Sequence, residues 1–129
     1  MTTGHDSLLA AARRILDDAG RDLAREHWLS ACVSAQRAAV MATEVWLRNQ
    51  GQPHVSGSVH ENVSLWPGAG AEVREAAALL DRHRIEEGYP HRSSTADTDP
   101  RAESDRVVAA GRKVLAFVEE RLREVSGEG

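Results

Sequence analysis

The 129 residues, 41% hydrophobic and only 4% aromatic, are one domain's worth of chain with enough apolar content for one real core. Abundant Ala, Arg, Glu and Leu with few β-branched residues favour an all-helical fold. The formal net charge of -4 excludes a surface that attracts nucleic acid as a whole, so any nucleotide or RNA contact must come from a local basic patch.

In chain order, the opening Met-Thr-Thr-Gly-His-Asp is polar and carries no signal pattern. No apolar run approaches membrane-spanning length, and a cytoplasmic protein is expected. Asp6 or Ser7 can cap a first helix beginning at Leu8, whose buried face is Leu8, Ala12, Ile15, Leu16, Ala19 and Leu23. Gly20 can loosen its end, but no strong breaker marks the boundary near Arg25 to Trp28.

A second, alanine-rich helix is predicted from about Trp28 to Asn49, stopping at Gly51 with Pro53 beyond. Leu29, Cys32 or Val33, Gln36, Ala39 or Val40, Thr43 and Trp46 or Leu47 fall at helical steps along it. So many small residues allow other helices to approach closely, which marks it as the central helix of a bundle. The lone Cys32 rules out an internal disulfide and reads as a buried, inert thiol.

Residues 50–58 form a loop, and a short helix is expected across His60 to Trp66, ended by Pro67, Gly68 and Gly70. A fourth helix is expected from Ala71 to about Glu86, with Val73, Ala76, Ala77, Leu79 and Leu80 facing in and Gly88 and Pro90 ending it. Residues 92–100 are a polar loop, and the last helix starts near Pro100. Its stripe is Val107, Gly111, Val114, Val118, Leu122 and Val125, before a tail at residues 126–129. Gly111 costs about 1 kcal/mol of helix propensity and is explained by close approach of another helix. No strand pattern, repeat or useful heptad seam is present. Trp28, Trp46 and Trp66 read as packing residues, with a partner interface the alternative for Trp66 beside Pro67.

Chemistry-bearing residues concentrate in one place. Arg82, His83, Arg84, Glu86, Glu87, Tyr89, His91 and Arg92 cluster around a helix end. A guanidinium grips phosphate oxygens as a fork, and an imidazole exchanges a proton near neutral pH. A solvated helix end has the same composition. All basic residues but Lys113 are arginine, which reads as codon usage in a GC-rich genome rather than as phosphate recognition throughout. Neither a His-Glu-x-x-His pattern nor a cysteine pair occurs, so no metal site is expected from the six histidines. Gly68-Ala-Gly70 lacks the strand and the Lys-Ser/Thr of a phosphate loop, scattered Ser and His do not make a nucleophilic triad, and no cofactor is expected.

Several of these segments together resemble the HEPN family of small helical domains. Ala35-Gln36 and Ala38-Ala39 match the family's alanine-rich helix. Val59-His60-Glu61 with Leu65 is similar to its His-Asp-Leu segment. Leu80-Asp81-Arg82 followed by Tyr89-Pro90 resembles its Leu-Asp-Arg-Tyr to Arg-Tyr-Pro-Asp passage, and Val107 to Leu122 fits its final helix. The resemblance spans about residues 8–125 and implies an all-α, up-and-down bundle of four or five helices. It also implies a homodimer that binds nucleotide or RNA, often paired with a minimal nucleotidyltransferase as toxin and antitoxin.

Many family members are RNases with an Arg-x(4–6)-His motif. Arg84 and His91, with six residues between them, satisfy that spacing and are the candidate catalytic pair. Ile85 follows the Arg where a polar residue is usual, and Gly88 and Pro90 interrupt any helix between the two. Arg82, His83 and Tyr89 are the candidate nucleotide-binding residues, Tyr89 by stacking on a base. The chain turning at Gly88 is expected to bring Arg84, Tyr89 and His91 together at the bundle surface. Two readings follow: a HEPN module that binds nucleotide, RNA or a nucleotidyltransferase partner, or a metal-independent endoribonuclease using Arg84 and His91.

Overall fold

A computed structural model describes residues 4–51, 57–66, 68–83, 85–86, 89–90 and 99–125; at 4–6, 85–86, 89–90 and 125 the description is of the backbone alone. Five helices account for nearly all of it: α1 (Gly4–Ala24), α2 (Trp28–Asn49), α3 (Val59–Ser64), α4 (Ala71–Asp81) and α5 (Pro100–Val125). The all-α bundle expected from the sequence is the observed fold. α2 is its centre, packed most heavily against α1 and α5, while α4 lies on α5 and α3 on α4. Among the described residues no helix is long and apolar enough to cross a membrane.

α1 and α2 are joined by three residues. Glu26 takes a left-handed conformation, with φ 62°, that ends α1. His27 N donates to Asp22 O at 2.8 Å, and the Ser30 hydroxyl donates to the Asp22 carboxylate at 2.8 Å. The turn is thus built by a non-glycine residue in a glycine-like conformation, which is why no breaker announces it. α1 begins at Gly4, a turn earlier than the Asp6 or Ser7 cap implied. Leu9, Ala12, Leu16 and Ala19 are its buried residues, with Leu8, Ile15 and Leu23 partly buried beside them.

The alanine face of α2 does what close packing requires. Ala31, Ala35, Ala38, Ala39 and Ala42 are fully buried, and Gly111 of α5 lies against this helix. A Cβ at position 111 would sit 2.9 Å from Leu16 Cδ2 and 3.3 Å from both Cβ and O of Ala35. Gly111 is therefore the point where α1, α2 and α5 converge. Leu29, placed on the apolar stripe of α2, is instead 56% exposed, in the first turn of the helix.

At the other end, Trp46 and Trp66 stack with centroids 5.0 Å apart, and Phe117 meets Trp66 edge-on at 4.9 Å. Arg121 lies over the Phe117 ring, 5.0 Å from its centroid, and donates to Gly68 O. Trp66 is 2% exposed, so it is a core residue rather than a partner-facing one.

α4 ends at Asp81 and not near Glu86. Arg82 N and His83 N donate to Leu79 O and Leu80 O, a tightened final turn. The chain then forms a minimal antiparallel pairing, Ile85 opposite Pro90 and Glu86 opposite Tyr89, which no sequence pattern announces. α4 thus stops before the terminators expected at Gly88 and Pro90.

Candidate functional site

Asp81 anchors three helices at once. Its carboxylate accepts from the Ser58 hydroxyl at 2.7 Å, from Val59 N at 2.8 Å and from His60 N at 2.9 Å. Ser58 caps α3, accepting from Glu61 N at 3.1 Å. Gln36 of α2 donates to Gly57 O at 3.0 Å and reaches Asp81 at 3.4 Å. Deeper in, Asn62 donates to the Thr43 hydroxyl, which in turn donates back along its own helix to Ala39 O. The segments that carried the sequence resemblance, around Gln36, His60 and Asp81, thus meet in one hydrogen-bonded knot. It is a structural device that fixes α3 and the end of α4.

Two residues past Asp81, the chain reaches the candidate site. His83 Nε2 lies 3.1 Å from Glu103 Oε2, and both side chains are largely buried, at 14% and 10% exposure. Arg106 donates to the other oxygen of Glu103 at 2.9 Å. Burial alone would raise the Glu103 carboxyl, but hydrogen bonds from Arg106 and His83, with the charges of His83 and Arg82, outweigh it and hold the group below its ordinary value. An ionised carboxylate only accepts, so the shared proton sits on His83 Nε2.

This pair forms one wall of a pocket of about 360 Å³ lined by Trp28, Leu29, Cys32, His83, Pro100 and Glu103. The other described lining residues, Trp28, Leu29, Cys32 and Pro100, are almost wholly apolar. Trp28 is half-buried there rather than in the core, at the start of α2. Cys32 is buried, and desolvation, helped by the negative charge of Glu103, pushes its thiol up to about 11. Its burial is as expected from the sequence, and the raised value disfavours the thiolate. Among the described residues no group of three His, Cys, Asp or Glu is arranged to hold a metal ion.

Of the sequence-predicted site residues, the structure places His83 in this pocket and Arg82 close enough for its charge to act on Glu103. Arg84 and His91 lie outside the described residues, and Tyr89 is described by its backbone alone. Sequence reasoning missed Glu103, which sits in the polar run Arg-Ala-Glu-Ser-Asp-Arg. The signal was available: Glu103 lies one helical step of four before Val107, so extending the buried stripe of α5 backward reaches it.

The HEPN domain model matches residues 5–121. The structure is similar to an archaeal HEPN homologue at 18% identity, with TM-score 0.76 over 93% of this chain and 98% of that one. It is similar to a HEPN domain protein from Thermotoga maritima at 24% identity, with TM-score 0.72 over 90% and 97%. A protein from Thermus thermophilus aligns at 26% identity, with TM-score 0.75 over 92% and 98%. The search among curated proteins finds no match. With the family model covering nearly the whole chain and the same fold in these structures, the chain belongs to the HEPN domain family.

Proposed function

We propose that this HEPN domain is a nucleotide-binding module, taking a nucleotide, free or at the end of an RNA, in the pocket between the start of α2, the end of α4 and the start of α5. The observation that carries this reading is the pairing of an apolar, tryptophan-walled pocket with a buried His83–Glu103 pair. An indole and apolar side chains suit the face of a base, and polar groups at one wall suit its edge. Arg82 adjoins the pair and supplies a cation for phosphate. Under the same reading the domain is a homodimer and serves as the HEPN half of a toxin–antitoxin pair with a minimal nucleotidyltransferase.

Calorimetric titration of the full chain with nucleoside monophosphates and short RNA tests this. Saturable binding, weakened about 10-fold or more by Trp28→Ala or Arg82→Ala at an unchanged fold, is the expected result. No heat of binding at millimolar nucleotide overturns it. The spacing of Arg84 and His91 favours a second reading, a metal-independent endoribonuclease, in which His91 takes the proton of the attacking 2′-hydroxyl and Arg84 holds the scissile phosphate. RNA cleavage in EDTA that disappears in His91→Ala would establish it, and intact RNA would remove it.

A further inference from the structure

We propose that the pocket selects guanine over the other bases, and that the carboxylate of Glu103 makes the choice; this rests on the nucleotide reading above. Glu103 is the one acid among the described lining residues and is 8% exposed. An acceptor-only group fixed in an apolar wall demands a donor from whatever enters.

The carboxylate has capacity left for a ligand. His83 occupies one position on Oε2 and Arg106 one on Oε1. Two carboxylate oxygens offer about four acceptor positions, so each oxygen retains one. Both existing donors also hold the group in place, so it cannot swing away from an unsuitable base. His83 follows the end of α4 and Arg106 belongs to α5, so the carboxylate is fixed between two segments.

Of the four RNA bases, only guanine presents two adjacent donors on its Watson–Crick edge, the ring N1–H and the exocyclic amine. That pair matches a carboxylate in the two-point fashion of a guanidinium. Adenine and cytosine each place a single amine beside a ring nitrogen that is itself an acceptor and repels the carboxylate. Uracil offers one N–H flanked by two carbonyls. Rejection of these bases comes from leaving a buried carboxylate facing an acceptor, which is stronger discrimination than a missing apolar contact. The flat face of the base would lie along Trp28 and Leu29, which accept any base and supply affinity without choice.

The test is isothermal titration of the full chain with GMP, IMP and AMP at one ionic strength. The expected order is GMP tighter than AMP by roughly 10- to 100-fold, with IMP, which keeps N1–H but lacks the amine, in between. Glu103→Gln should collapse this order, whereas Trp28→Ala should weaken all three in parallel. Glu103→Asp retains the charge and should keep the order at lower affinity. If Glu103→Gln does not fold, the wild-type order of the three ligands still decides. GMP and AMP binding alike, or AMP binding more tightly, overturns the guanine assignment and leaves the nucleotide reading standing. Absence of binding by all three removes both.

Discussion

The Ser58 hydroxyl donates to Asp81 Oδ2 at 2.7 Å while accepting from the backbone of Glu61, so one side chain caps α3 and tethers it to the end of α4. The two residues are 23 positions apart, and the loop between α2 and α3 is closed by this contact and by Gln36 on Gly57. The device sits at the last residue of α4. A carboxylate committed to the amides of Val59 and His60 fixes the backbone at residue 81. The two residues that follow then turn toward α5.

Removing the anchor should loosen this end of the bundle. Asp81→Ala is expected to cost about 2–3 kcal/mol, the range for hydrogen bonds to a charged group, and Ser58→Ala about 1 kcal/mol as a lost cap. Because the two share one network, the double variant should lose less than the sum. Denaturant melts of the four proteins measure this, and strict additivity would mean the two act independently.

Position 111 gives a second stability test. Alanine there gains helix propensity of about 1 kcal/mol, but its Cβ would lie 2.9 Å from Leu16 Cδ2 and 3.3 Å from the Ala35 carbonyl. The Leu16 methyl can yield, whereas the Ala35 backbone cannot move without shifting α2. Gly111→Ala should therefore be net destabilising by about 1 kcal/mol, and Gly111→Val by about 2–3 kcal/mol. Thermal melts showing Gly111→Ala equal to or above wild type would mean that α5 has room to withdraw.

Much of this fold is legible in the sequence because helical periodicity and composition act over many residues. The alanine face places the central helix at Trp28 to Asn49, and Pro100 places the start of α5. What stays hidden depends on single contacts between distant residues. Glu26 closes the first turn without glycine, Asp81 ties the end of α4 to the start of α3, and Glu103 is an acid buried by partners from two segments. For the site, the sequence points to the right stretch in Arg82 and His83. It cannot supply the pocket, because Trp28, His83 and Glu103 come from three separate parts of the chain.

The Glu103 carboxyl titrates below its ordinary value in the folded protein, so its pairing stabilises the fold above the unfolded value of roughly 4.3. That contribution is lost as pH falls through the lower, folded value. Glu103→Gln removes the charge at every pH. Its stability deficit relative to wild type should shrink as pH falls below about pH 4.5. Denaturant midpoints across this range measure it, and a deficit that grows on acidification would reverse the sign assigned to the pair.

Cys32 should be slow to alkylate. A thiol raised from 9.0 to about 11 carries about 100-fold less thiolate at a given pH, and its 3% exposure slows attack further. Iodoacetamide labelling at pH 8 followed by mass spectrometry should show negligible modification of the native chain and rapid modification in denaturant. Comparable rates in the two states would mean that the pocket opens to Cys32 far more readily than its packing suggests.

One tryptophan at the proposed pocket and two stacked on each other away from it allow nucleotide binding to be observed residue by residue. In a proton–nitrogen correlation spectrum titrated with GMP, the Trp28 indole signal should shift together with the amides of Leu29 and His83, while the Trp46 and Trp66 indoles at the opposite end of α2 stay in place. A Trp28 signal unmoved at millimolar nucleotide, or shifts centred on Trp46 and Trp66, would contradict a nucleotide site at the start of α2.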